Sequence, residues 1–180
     1  MAIQSQTSSS PVKIGNEANW EVIRLKYGVS LTNEKAPNVF NYVGLENIES
    51  WTGRLAQSLE ESEGTADTAN RFYSGNVLFG KLRPYLAKAF IAEDDGCCTS
   101  ELLVLEPIAY EPKYLKYVVL TPDFINLVNS STYGVKMPRA SWDFIGNIVL
   151  PKPPIELQKK ISTFLDRKTA AIDTLIAKKQ

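Results

Sequence analysis

The chain has 180 residues, 44% of them hydrophobic and 22% charged, and its 20 basic and 20 acidic side chains cancel to a net charge of zero. That length suits one core and an appendage, the charge balance argues against bulk nucleic-acid binding, and no run of about 18 apolar residues exists to cross a membrane. With no histidine and two adjacent cysteines, Cys97 and Cys98, Ser-His-Asp and Cys-His catalysis are excluded, along with most catalytic zinc sites.

Residues 1–15 form a Gln/Ser/Thr-rich stretch without the apolar core of a signal peptide, which reads as the disordered tail of a cytoplasmic protein. A globular body is expected over 16–150 and a long helix over 151–180. WEVIRLKYGVSL opens the folded part, and NVFNYVGLENI (38–48) alternates as a strand running into a turn at Gly44. The stretch 51–70, with Glu60, Glu61, Glu63 and Asp67, reads as a loop or irregular excursion. Short strands are expected at 76–79, 86–92 and 102–105, with an Asp94-Asp95-Gly96 turn between the last two. Neighbouring cysteines rarely bridge, so Cys97 and Cys98 read as small, partly buried residues.

The segment EPKYLKYVVL (111–120) carries a helical apolar face. Thr121, Pro122 and Asp123 then supply an N-cap, a first-turn proline and a first-turn acid for a second short helix. The stretch 131–144 reads as a loop and 147–150 as a last strand. This order implies an α/β (α+β) body with a twisted, mixed β-sheet and short helices.

The last segment changes character at Pro151, Pro153 and Pro154. Proline lacks an amide donor and biases the preceding residue toward extended backbone. Beyond Pro154 there is no further Pro or Gly, and Ile155, Ile161, Phe164, Leu165, Ile172, Leu175 and Ile176 recur at helical spacing. Glu156 complements the positive end of the helix dipole. A helix from Pro154 to the end would be roughly 40 Å long, a coiled-coil-type element whose stripe of Ile161, Leu165, Ile172, Leu175 and Ile176 needs a partner. From residue 151 onward seven basic side chains face three acidic ones, so the helix carries +4 and the body −4.

Two windows stand out because they contain no acid. The first, Arg71 to Phe90, interleaves Arg71, Lys81, Arg83 and Lys88 with Phe72, Tyr73, Phe79, Tyr85 and Phe90. Within it, Gly80 and Pro84 bracket two cations in a turn between strands. The second, Ser131 to Trp142, carries Lys136 and Arg139 with Thr132, Tyr133 and Ser141. Arginine can fork onto a phosphate or the O6/N7 edge of guanine, and hydroxyls beside cations suit a nucleic-acid backbone. Lys81, Arg83, Tyr85, Thr132, Tyr133, Lys136, Arg139 and Ser141 are therefore the candidate DNA-contacting residues. No Gly-rich cofactor loop, Walker loop or amino-methyltransferase tetrad is present, and no Glu-X-Lys follows Pro122-Asp123 to complete a nuclease motif. No catalytic residue, cofactor or metal is assigned.

The ordered blocks Arg24–Tyr27, Tyr42–Ile48, Val77–Leu86, Cys98–Leu105 and Leu150–Gln158 resemble those of the specificity subunits of type I restriction-modification enzymes. The likeness runs from about Trp20 to Lys179. It implies a target recognition domain followed by a conserved spacer helix. Such subunits carry two recognition domains, each reading half of a split sequence in double-stranded DNA, with two long helices between them. The helices dock methyltransferase subunits that hold S-adenosylmethionine, and a separate motor-nuclease subunit cuts. By this likeness the chain is non-catalytic and supplies the address. It has one domain and one helix where the family has two of each, so it reads as a fragment, or else as a half-length subunit, that pairs with a second copy through Ile161, Leu165, Ile172, Leu175 and Ile176. The rival reading is a protein-interaction or oligomerisation module built on the helix without DNA reading. A nuclease or methyltransferase in its own right lacks its motifs.

Overall fold

The computed structural model describes residues 20–55, 69–134 and 136–178. The expected tail at 1–15, the acidic residues Glu60, Glu61, Glu63 and Asp67, and the last two residues of the helix lie outside the described residues. The chain begins with β1 (Val22–Arg24), α1 (Leu25–Gly28) and β2 (Val29–Thr32), followed by β3 (Tyr42–Val43) and β4 (Asn70–Phe72). Then come β5 (Val77–Gly80), β6 (Ala89–Ile91), β7 (Gly96–Cys98) and β8 (Leu102–Pro107). Helices α2 (Pro112–Val119), α3 (Pro122–Ser130) and α4 (Trp142–Ile145) precede β9 (Val149–Pro151) and the long α5 (Ile155–Ala177).

Instead of one mixed sheet, the described strands form three. A four-stranded antiparallel sheet runs β2-β8-β5-β6. A three-stranded sheet runs β3-β7-β4, with β3 and β7 parallel. The third is the two-stranded pair of β1 and β9. The apolar run Val77-Leu78-Phe79 explains this layering, because every residue of β5 is buried and strand side chains alternate faces. Val77 and Phe79 join the core under the helices, where Phe79 meets Phe124 of α3 edge-on at 5.5 Å. Leu78 joins the second core, between the two larger sheets, where Phe72 and Phe90 meet edge-on at 6.2 Å.

Local sequence accounts for the element ends. Glu111 caps α2 by accepting from the Tyr114 amide at 2.8 Å, and Thr121 caps α3 with Phe124. The strand expected over 38–48 shrinks to two residues, because the Gly44 amide donates to the Asn47 side chain at 2.8 Å and opens a tight helical turn at Leu45–Asn47. Strands β4 and β7 were not expected; each is three residues long and too short to show periodicity. They place both cysteines in the interior, fully rather than partly buried and as free thiols. Burial pushes the Cys98 thiol up to about 12, so it is no nucleophile.

Helix α5 leaves the body beside the point where the chain enters it. Val22 pairs with Pro151, and Lys152 extends the ladder by donating its amide to the Glu21 carbonyl at 2.7 Å. The helix is fastened by polar side chains. Gln158, 1% exposed, donates to the Pro153 and Ala109 carbonyls at 2.8 and 3.3 Å and accepts from the Glu111 amide at 2.8 Å. One turn on, buried Ser162 donates to the Glu111 carboxylate at 3.0 Å. Further along, Asp166 accepts from Tyr117 at 2.7 Å and Lys113 at 3.0 Å. Burial alone would raise its pKa, but the Tyr117 hydroxyl and the Lys113 ammonium outweigh it and hold the carboxyl below its ordinary value. Among the described residues no helix is long and apolar enough to cross a membrane.

Replacing Gln158 by Leu keeps the volume but strands the Glu111 amide and two carbonyls. We expect a loss of about 2 kcal/mol in urea unfolding, with faster hydrogen exchange over the first turns of α5. An unchanged midpoint would mean that the clasp does not hold the helix.

Candidate nucleic-acid interface

The two acid-free windows converge. As the chain leaves β5, the Lys81 amide donates to the Glu101 carbonyl at 3.0 Å, and the Lys81 carbonyl accepts from the Ala140 amide at 3.0 Å. Leu82 faces Arg139 in an antiparallel bridge, and the Arg83 amide donates to the Pro138 carbonyl at 2.8 Å. Tyr133 and Arg139 exchange both backbone hydrogen bonds at 3.2 Å, an isolated antiparallel bridge. Gly134, next to Tyr133, has φ +91°, a left-handed conformation that glycine adopts without strain.

These bonds bring the backbones of the two windows side by side. Tyr133 is 79% exposed, and Tyr85, Arg83, Lys136, Met137 and Arg139 are exposed as well. Lys81 is half-buried at its base. Arg83 has φ 50° and ψ 60° at the head of a tight turn over Pro84–Leu86, and Ala87 at its end has φ 47°. Left-handed backbone costs a non-glycine residue about 1–2 kcal/mol. The turn is held by hydrogen bonds from Leu86 to Arg83 and from Ala87 to Pro84, at 2.9 and 2.8 Å.

Two of the expected hydroxyls also hold helix ends. Ser141 is the N-cap of α4, accepting from the Phe144 amide at 3.3 Å. Thr132 donates to the Asn129 carbonyl at 2.8 Å, at the end of α3. Two further cations of the first window point elsewhere. Lys88 donates to the Leu45 carbonyl at 2.6 Å, and Arg71 lies over the rings of Tyr73 and Phe40. Conversely, an acid absent from both windows enters the surface. Glu101 takes Arg139 through two parallel bonds, from Nε at 3.0 Å and from Nη2 at 2.8 Å. These bonds raise the Arg139 pKa above its usual value. Nothing in the local sequence around Glu101 announces this partner, because the two residues meet only through the fold.

The helix residues divide in two. Ile161 packs against the main core and Leu165 is half-buried, whereas Ile172, Leu175 and Ile176 are 55%, 61% and 52% exposed. Between α5 and α2 lies a groove of about 710 Å³, with Trp51 among its lining residues. Arg54 crosses to Asp173 of α5 at 2.6 Å. Among the described residues no cluster of three or more His, Cys, Asp or Glu could hold a metal.

If Ser141 serves only as a cap, Ser141→Ala lowers stability by about 1 kcal/mol, while Ser141→Asp keeps the cap and the midpoint. Equal loss in both variants, measured by thermal unfolding, would rule out capping as its role.

The family model for the type I restriction modification DNA specificity domain matches residues 18–180. The specificity subunit of the type I restriction enzyme EcoDI from Escherichia coli is 27% identical over an alignment of 163 residues that covers 87% of this chain and 36% of that one. The chain thus spans about a third of that relative's length. The HsdS subunit from Thermoanaerobacter tengcongensis superposes with a TM-score of 0.72 at 20% identity, covering 88% of this chain and 44% of that one. A chain from a structure concerned with complex assembly and conformational transition of the type I R-M system gives 0.72 at 21% identity, covering 88% and 45%. The type I S subunit from M. genitalium gives 0.57 at 11% identity, covering 93% and 43%.

Proposed function

We propose that this chain, which belongs to the type I restriction modification DNA specificity family, reads one half of a bipartite target in double-stranded DNA through the surface of Lys81, Arg83, Tyr85, Tyr133, Lys136 and Arg139. The observation that carries this reading is the backbone zipper between 81–83 and 138–140, which gathers two acid-poor windows onto one exposed face. Arg83 lends weight: a glycine would take its left-handed conformation without strain, yet the position presents a guanidinium. Lysines would serve phosphates and the arginines would read base edges. Thr132 and Ser141 shape the surface more than they touch DNA, since their hydroxyls hold helix ends.

The chain itself supplies no catalytic step. Methyltransferase subunits would dock along α5 and modify adenine, a motor-nuclease subunit would join through them, and the assembly would work in the cytoplasm. With zero net charge, the isolated chain binds DNA weakly, and its partners supply most of the phosphate contacts. Co-expression with methyltransferase subunits, followed by mapping of methylated adenines, tests the reading. A split motif is expected. Arg83→Ala should cost about 1–3 kcal/mol and relax one base position. An unaltered motif in that variant would remove Arg83 from the reading surface, and methylation independent of this chain would favour a purely interacting role.

The exposed end of α5 also suits a second copy. Ile161 and Leu165 are already partly covered by the chain's own body, so Ile172, Leu175 and Ile176 remain to drive pairing. Covering each would contribute about 1.5–3 kcal/mol before entropy costs. Two antiparallel copies would set two reading domains on one DNA. Sedimentation is expected to show a dimer at micromolar concentration; a monomer there would exclude this pairing.

A further inference from the structure

Among the described residues, Arg139 is the cation of this surface whose charge is met by a carboxylate, and the geometry of that meeting is specific. Glu101 sits in the turn between β7 and β8, where its carbonyl accepts from Lys81 and its amide donates to the Thr99 hydroxyl at 3.4 Å. Its backbone is therefore fixed to the exit of β5. Its side chain takes the Nε and Nη2 donors of Arg139. A guanidinium has five N–H donors in a planar fork. Two are used here, and the Nη1–Nη2 edge keeps three, enough for a bidentate contact with O6 and N7 of guanine or with two phosphate oxygens.

Resting on the reading of this face as the DNA surface, we propose that Glu101 is a positioning residue for sequence discrimination. It locks the plane of the Arg139 guanidinium, leaves one edge to the DNA, and cancels the long-range attraction that a free arginine would exert on any phosphate. Arg139 then contributes to binding only where a correctly placed pair of acceptors meets its open edge. Two consequences separate this role from a structural one. Without the carboxylate, discrimination falls. At the same time, binding to unrelated DNA rises, because one neutralised cation is released.

The test uses the chain assembled with its methyltransferase subunits and a randomised duplex library, with Glu101→Gln, Arg139→Ala and the reversed pair Glu101→Arg/Arg139→Glu. Glu101→Gln is expected to lose about tenfold in preference at the same base position that Arg139→Ala loses. Its binding to a duplex of unrelated sequence should strengthen, with a salt dependence steeper by about one ion. The reversed pair restores the ion pair and the unfolding midpoint but not the base preference. A full motif in Glu101→Gln beside a lost position in Arg139→Ala would overturn the inference and leave the DNA surface standing. Recovery of the motif by the reversed pair would overturn it too, by showing that the pair acts only as a brace. If neither Glu101→Gln nor Arg139→Ala alters the motif, the inference fails, and the DNA surface itself falls only if Arg83→Ala is equally silent.

Discussion

The architecture depends on a central strand that is apolar on both sides. Val77 and Phe79 turn toward the helices and Leu78 toward the second sheet, and none of the strand reaches solvent. A strand with two buried faces must be covered twice, which is why an antiparallel sheet lies between a helical layer and a smaller sheet. Its downstream end is equally constrained. Gly80 donates to Lys88 while Lys81 is tied to Glu101 and Ala140. The proposed reading surface is thus the rim of a strand buried along its whole length, a setting in which side chains can be held to the tolerance that base discrimination requires.

This construction reconciles a chain of zero net charge with a proposed role on DNA. A reader whose affinity came from its own charge would hold every sequence alike. Here the cations are few and gathered, and one of them is partnered by Glu101. Under the proposed role, recognition by shape and hydrogen-bond geometry would be favoured over attraction at a distance, and the bulk of the electrostatic work would fall to other subunits.

Much of this was legible in the sequence where the signal is local. Thr121-Pro122 capped α3 as expected, α2 and α5 followed their apolar periodicity, and the run Val77-Leu78-Phe79 was a strand. The two windows were visible because they lack acids. What was hidden is non-local. The strands Asn70–Phe72 and Gly96–Cys98 are shorter than a period can reveal and exist only because a neighbouring strand pairs with them. The zipper between Leu82 and Arg139, and the arrival of Glu101, follow from topology. Gln158 lay in a recognised junction, yet its buried amide contacts reach Ala109 and Glu111 on another element. Ser141 shows the converse, since a hydroxyl beside a cation also serves as a helix cap that only the fold reveals.

The polar clasp at the root of α5 also has a mechanical meaning. A helix of 23 residues is a lever about 34 Å long. Were it held at its root alone, a play of about 5° would sweep the far end through about 3 Å, close to the ~3.4 Å between successive base pairs; the ties of Asp166 to Tyr117 and Lys113, and of Asp173 to Arg54, hold the helix further along. Apolar packing resists compression but is non-directional. Hydrogen bonds depend on distance and angle, so an amide and a hydroxyl one turn apart add directional resistance to tilt. If, as proposed, two readings are spaced along a duplex, the count of base pairs between them would be kept by Gln158, Ser162 and these outer ties as much as by the length of the helix.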